Sequence, residues 1–190
     1  MLQLFLDVLP ISLAVGIFYT IYRYFKVKRH KITFSWGTEI FRVLFLCYVT
    51  GLFNLVLVPA NFWSYIWFYQ ENGYSAGSLA PLFSGDFNFI PTAVKLLMGE
   101  LTLGKWVLTM LVGNFFMFMP MGFFLPFIFE KMNHRKVLIV SVAVPFIVEV
   151  LQPIVGRSFD IDDLILNFTG ILFGYLLALC CEYFKNRLFK

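Results

Sequence analysis

Five long apolar runs constrain this chain more than anything else in it: residues Leu4 to Tyr22, Thr38 to Pro59, Lys105 to Phe129, Val137 to Gln152 and Asp163 to Tyr183. A bilayer core about 30 Å thick is crossed by a helix of roughly 20 apolar residues, so each run is near the required length. With 60% hydrophobic and 14% charged residues and a mean hydropathy of +0.81, too little polar surface remains to cover a soluble globule. The sequence predicts an all-α integral membrane protein with about five transmembrane helices. A net charge of +4 does not suggest nucleic acid, because the basic residues fall in short clusters beside the apolar runs, as membrane anchors do.

Those clusters predict the topology. Arg23, Lys26, Lys28, Arg29 and Lys31 follow the first run; Lys131, Arg135 and Lys136 precede the fourth; Lys185, Arg187 and Lys190 follow the fifth. Counting Arg42, twelve of the 15 Lys and Arg residues lie on one side, and only Lys95, Lys105 and Arg157 on the other. By the positive-inside rule the N-terminus is out and the C-terminus in. The first run carries its charges after it and not before, unlike a secretory signal. Glu39 and Arg42, spaced i to i+3, read as an anchoring ion pair, and Asn54 as a hydrogen bond between helices. Cys47, Cys180 and Cys181 are not placed for a disulfide framework. The adjacent pair reads as small hydrophobes ending a helix, with palmitoylation the alternative.

Between Ala60 and Gly104 the hydrophobicity breaks up. Trp63, Tyr65, Trp67, Phe68 and Tyr69 suit an interfacial aromatic belt, and residues Asn72 to Ser78 a turn. Phe87-Asn88-Phe89-Ile90-Pro91, followed by a short amphipathic helix from Thr92 to Leu101, is too apolar for a solvated loop. It predicts an extracellular segment, within residues 79–104, that is interfacial or re-entrant.

Polar residues concentrate toward one end of the last three runs. Proline removes a backbone donor and crowds the preceding turn, so Pro120 and Pro145 predict bends in the third and fourth helices. At about 1.5 Å per residue, Asn114 lies roughly 12 Å below Trp106, and Glu149 roughly 21 Å from Arg135. Glu149 and Gln152 share one helix face, as do Asp163 and Asn167. With Arg157 and Asp160 in the intervening turn, Asn114, Glu149, Gln152, Arg157, Asp160, Asp163 and Asn167 can converge on one outward-facing pocket. Gly170 and Gly174 continue the stripe at the spacing that lets membrane helices approach closely.

Several chemistries fit such a group. Arg157 has the planar fork that matches an anionic or carboxylate group, while Glu149 and Asp163 accept hydrogen bonds from amide or hydroxyl donors. Either acid is also a candidate general base in a membrane-embedded enzyme, and Asn114 and Asn167 taken singly are equally well read as interhelical glue. No cofactor is predicted; a divalent cation held by Asp160, Asp162 and Asp163 is an alternative, against the ordinary preference of acids for a helix N-terminus. Ser158 has no histidine on its side of the membrane and no G-x-S-x-G turn, and no nucleotide-binding glycine pattern occurs.

Three segments together carry a family resemblance: Asn88-Phe-Ile-Pro91; Gly113-Asn114 through Met119-Pro120-Met-Gly122 to Pro126; and Glu149-x-x-Gln152 through Arg157-Ser-Phe-Asp160-Ile-Asp162-Asp163 to Asn167-x-x-Gly170. In order and spacing, over roughly Phe41 to Tyr175, the chain resembles the VanZ-like family of bacterial membrane proteins. The resemblance implies a multi-pass protein of the bacterial cytoplasmic membrane and a link to resistance to teicoplanin, a lipoglycopeptide that binds cell-wall precursors. It divides the chain into an N-terminal transmembrane helix with a basic cytoplasmic loop (1–36), a VanZ-like transmembrane domain (37–184) and a basic cytoplasmic tail (185–190). The expected partners are membrane lipids and a lipid-linked cell-wall precursor or a lipoglycopeptide, and not nucleic acid. The rival readings are an enzyme acting on an outer-leaflet lipid or cell-wall substrate through Glu149 or Asp163, and a transport or scaffold protein.

Overall fold

A computed structural model of the protein describes residues 2–30, 35–59, 62–74, 77–79, 81–99, 104–129 and 131–188. It consists of two units, residues 1–82 and 83–190.

The first unit holds α1 (Leu2–His30), α2 (Trp36–Leu57) and α3 (Phe62–Asn72). The first helix outruns its apolar stretch and carries the basic cluster on its last turns through His30, where cations complement the exposed carbonyls. α1 packs on α2. Gly51 admits the Ser12 hydroxyl, and Gly16 lies so near the Cys47 sulfur that a Cβ there would stand 2.5 Å from it. Glu39 pairs with Arg42 as expected, at 2.7 Å. Arg23 adds a bidentate grip, Nε to Oε2 at 2.9 Å and Nη2 to Oε1 at 2.7 Å. Asn54 donates to the Thr50 carbonyl one turn back and accepts from the Trp63 indole at 3.1 Å, so it ties α2 to α3.

The second unit holds a two-residue strand β1 (Phe87–Asn88), α4 (Thr92–Leu97), α5 (Lys105–Ile128), α6 (His134–Leu151), a 3-10 turn (Gln152–Val155), β2 (Phe159–Asp160) and α7 (Ile161–Leu188). α7 packs most extensively against α5 and next against α6, while α5 and α6 touch little. Glycine makes the α5–α7 seam. A Cβ on Gly170 would collide with the Phe115 carbonyl oxygen, one on Gly174 with that of Met119, and one on Gly122 with that of Ile171. Without driving force from water, such backbone-to-backbone contact is how membrane helices gain packing and Cα–H···O attraction. α5 runs unbroken through Pro120 and Pro126, as α6 does through Pro145. The first residue of α6 is tied to the middle of α7 by a 2.9 Å bond between His134 Nδ1 and the Tyr175 hydroxyl.

Five helices, spanning Leu6–His30, Trp36–Leu57, Val107–Ile128, His134–Val155 and Ile161–Cys181, are long and apolar enough to cross a membrane. Their outer faces are apolar: Leu13, Ile17 and Phe18 on α1, Leu44 and Phe53 on α2, and Ile139, Val142 and Phe146 on α6 are all exposed. Surfaces of this kind need lipid around them.

One expectation about the connecting region changes and one gains detail. The aromatic stretch expected to form an interfacial belt is helical, as α3, since its rings recur without a breaker until Asn72. The short helix after Pro91 stops at Leu97, not Leu101, because Gly99 takes a left-handed φ of +75° and its N–H closes on the Leu96 carbonyl. Leu101 itself, like the last residues of the basic tail, lies outside the described residues.

Candidate functional site

Local sequence builds the polar end of the second unit. α6 gives way to the 3-10 turn where Pro153 removes a donor, and Gly156, at φ +75°, terminates that turn. The Arg157 N–H then returns to the Gln152 carbonyl at 3.0 Å. The chain doubles back, and Phe159–Asp160 pairs in parallel with Phe87–Asn88. Gly85 makes the crossing possible, since a Cβ there would meet the Arg157 carbonyl and the Pro153 Cα.

Glu149 is at the centre of this end and is fully buried, at 0% exposure. Its Oε2 accepts from the Asp160 N–H at 3.1 Å. The Gln152 carboxamide, with its nitrogen turned toward the acceptors, donates to the same oxygen at 3.0 Å and to the Ser158 carbonyl at 3.1 Å. Among the described residues Glu149 Oε1 has no hydrogen-bond partner. The residue sits in the last turn of α6, where the helix dipole is negative and opposes a carboxylate. Asp162 and Asp163 occupy the first turn of α7, where the dipole favours them.

The remaining acids have partners. Asp160 accepts from its neighbour's backbone, the Asp162 N–H, at 2.9 Å and from Asn88 Nδ2 at 2.8 Å. Asp162 accepts from the Thr92 N–H at 2.7 Å, a first-turn donor that Pro91 at the cap of α4 has no side chain to satisfy. Lys95 closes the circuit by donating to Asn88 Oδ1 at 2.7 Å. Asp163 accepts from the Asn114 side chain, which joins α7 to α5. Arg157 is under the influence of the Asp163 and Glu149 carboxylates, and burial, the larger effect, brings its guanidinium below its usual range. Asn167, 2% exposed, lies one turn below Asp163, and its Oδ1 is the second buried oxygen without a partner.

Of the residues expected to converge, Glu149 is bonded with Gln152 and Asp160, and Asp163 separately with Asn114, all within one unit, with Arg157 near Glu149 and Asp163. The divalent-cation alternative finds little here: Asp160 and Asp162 are turned onto amide donors, and no three His, Cys, Asp or Glu side chains gather as a cation needs among the described residues. Sequence reasoning missed Asn88, Thr92 and Lys95 as members of the network. Asn88 stood in one of the quoted motifs, and Lys95 was one of the three cations off the basic side, and either signal would have justified naming it. Phe87 and Phe89, 61% and 65% exposed, stack on each other at 6.0 Å between ring centres and contact buried Phe159 at 5.9 and 5.2 Å, leaving an apolar rim beside the acids.

Apolar helices that bury a carboxylate and an asparagine beside a strapped polar turn define a multi-pass membrane protein with a polar site at one end of its helices. The VanZ/LLP1 family model matches residues 44–182, and the chain belongs to that family. No curated protein and no solved structure matches it.

Proposed function

We propose that the polar end of α5, α6 and α7 is a recognition site for the polar portion of an amphiphile in the outer leaflet of a bacterial cytoplasmic membrane, either a lipid-linked cell-wall precursor or a lipoglycopeptide such as teicoplanin. The observation that carries this reading is Glu149, a carboxylate with no exposure whose Oε1 lacks a partner. An unsatisfied buried charge-bearing group costs several kcal/mol at the order-of-magnitude level, and such groups inside membranes mark function. The basic clusters on α1, around the start of α6 and at the tail support an orientation with the polar site outward. The exposed Phe87, Phe89, Ile90 and Leu97 support a strap lying in the membrane interface, where an amphiphile would pass.

The test is binding of the purified full chain to a lipid-linked precursor and to teicoplanin, compared across the parent, Glu149→Gln and Arg157→Ala. Loss of affinity in both variants, with folding intact, is the expected result. Equal affinity in all three rules the site out. A mass change in the precursor that disappears with Asp163→Asn would favour the enzymatic reading over simple recognition.

A further inference from the structure

Once the polar groups of this end are paired off, the remainder is one-sided. The side-chain amides of Gln152, Asn114 and Asn88 and the backbone N–H groups of Asp160, Asp162 and Thr92 already donate to carboxylates or carbonyls. Among the described residues the buried side-chain atoms left without a partner, Glu149 Oε1 and Asn167 Oδ1, are both oxygens. Four acidic residues, Glu149, Asp160, Asp162 and Asp163, and two basic ones, Arg157 and Lys95, make up this end.

From this we infer that the group received at Glu149 and Asn167 is a protonated primary amine; the inference rests on the recognition reading and specifies its ligand. A primary ammonium brings three N–H donors for the two unpartnered oxygens and a positive charge that a carboxylate attracts. A phosphate or carboxylate would bring acceptors to acceptors and negative charge to negative charge. A divalent cation wants six to eight oxygens, and the unpartnered ones are two, on different helices. Asn114, which bonds Asp163, and Arg157, which feels both the Glu149 and Asp163 acids, are half-buried, so this end is not wholly closed off from the surface. The amine can belong to a lipid headgroup or to a small soluble molecule, and the two sources are separable.

The experiment titrates the full detergent-purified chain with phosphatidylethanolamine, phosphatidylcholine and phosphatidylglycerol, and separately with free ethanolamine and choline, reading retained ligand by native mass spectrometry. Choline and its lipid keep the charge but have no N–H to donate. Expected is retention of the ethanolamine forms over the choline forms by about tenfold or more, the scale of a lost charged hydrogen bond. Glu149→Gln should abolish that preference. Asn167→Asp, which keeps the acceptor and adds charge, should strengthen it. Competition by free ethanolamine as well as its lipid assigns the site to the amine alone; retention of the lipid only assigns it to a headgroup. Equal retention of choline and ethanolamine forms overturns the inference, as does an unaltered preference in Glu149→Gln. Preferred binding of phosphatidylglycerol that Glu149→Gln removes would overturn the amine and leave the recognition site standing, whereas no ligand-dependent difference between parent and variant would remove both.

Discussion

Alanine in place of Gly174 should weaken the α5–α7 seam in a way that can be calculated roughly beforehand. The new methyl would overlap the Met119 carbonyl oxygen, and ordinary contact begins at 3.4 Å. The atom it meets is backbone, so no rotamer change relieves the clash and the helices must part locally by about 1 Å or more. A radial gap of 0.5–1 Å forfeits roughly a quarter to a half of each dispersion contact along its length. Overpacking of this kind costs about 1–3 kcal/mol, or about 5- to 150-fold in the folded-to-unfolded ratio. Gly170→Ala and Gly122→Ala act on the same seam, so combining them should cost less than their sum, because helices already parted have less to lose. The measurement is reversible unfolding in mixed detergent micelles. Gly37→Ala is the control, since no atom of the described residues stands within 4 Å of its added Cβ and helix propensity alone should make it neutral or favourable by up to about 1 kcal/mol. Gly174→Ala unfolding with the parent, or Gly37→Ala losing as much as Gly174→Ala, would refute the reasoning.

Glu149→Gln should raise stability by about 1 kcal/mol or more in the same assay, since it removes a buried ionisable group from the negative end of α6 while an amide oxygen can still accept from Asp160; a fall in stability would mean that the carboxyl group is structurally satisfied. Asn88→Leu breaks the bonds to Asp160 and Lys95 together and should speed hydrogen exchange at Phe159, whose N–H rests on the Asp86 carbonyl at 2.8 Å, leaving exchange along the α5–α7 seam unchanged. Arg23→Ala strips two of the three bonds that Glu39 accepts and should cost about 2 kcal/mol, seen as a lower melting temperature that Arg23→Lys restores only in part because an ammonium cannot grip both oxygens in plane.

What the sequence disclosed, and what it withheld, follows from the range of the interactions. Apolar length and basic clustering are local properties, so five spans could be read directly, and i to i+3 geometry sufficed for Glu39 with Arg42. Gly170 and Gly174 could be read as a packing stripe, yet Gly122, their counterpart across the seam, stood out only as part of a motif, because nothing local tells which helix α7 lies against. Arg23 is 16 residues from Glu39 and Asn88 is 72 from Asp160; separations of this size leave no periodic trace. α3 escaped for another reason: aromatic-rich segments at a membrane interface have the same composition whether or not they are helical.

The acids of the polar turn illustrate a harder limit. Glu149 and Asp163 look equivalent in the sequence, each a carboxylate at the edge of an apolar run with an amide residue three or four positions on. Chain direction separates them. Asp163 enters a helix and meets the exposed N–H end, with Asn114 donating from the facing helix, whereas Glu149 leaves one and meets its carbonyl end, with one oxygen unmet. The dipole contribution is about 0.3–1 kcal/mol at exposed ends and up to about 2 kcal/mol where partly buried, too small alone to decide a role but opposite in sign for the two acids. Exchanging them tests whether that sign matters: Glu149→Gln with Asp163 kept should preserve the α5–α7 link and lose ligand, while Asp163→Asn with Glu149 kept should weaken the link to Asn114 and retain the amine preference at Glu149. If both variants lose ligand equally while both keep the link, the two acids are interchangeable and the division of labour between the end of α6 and the start of α7 is wrong.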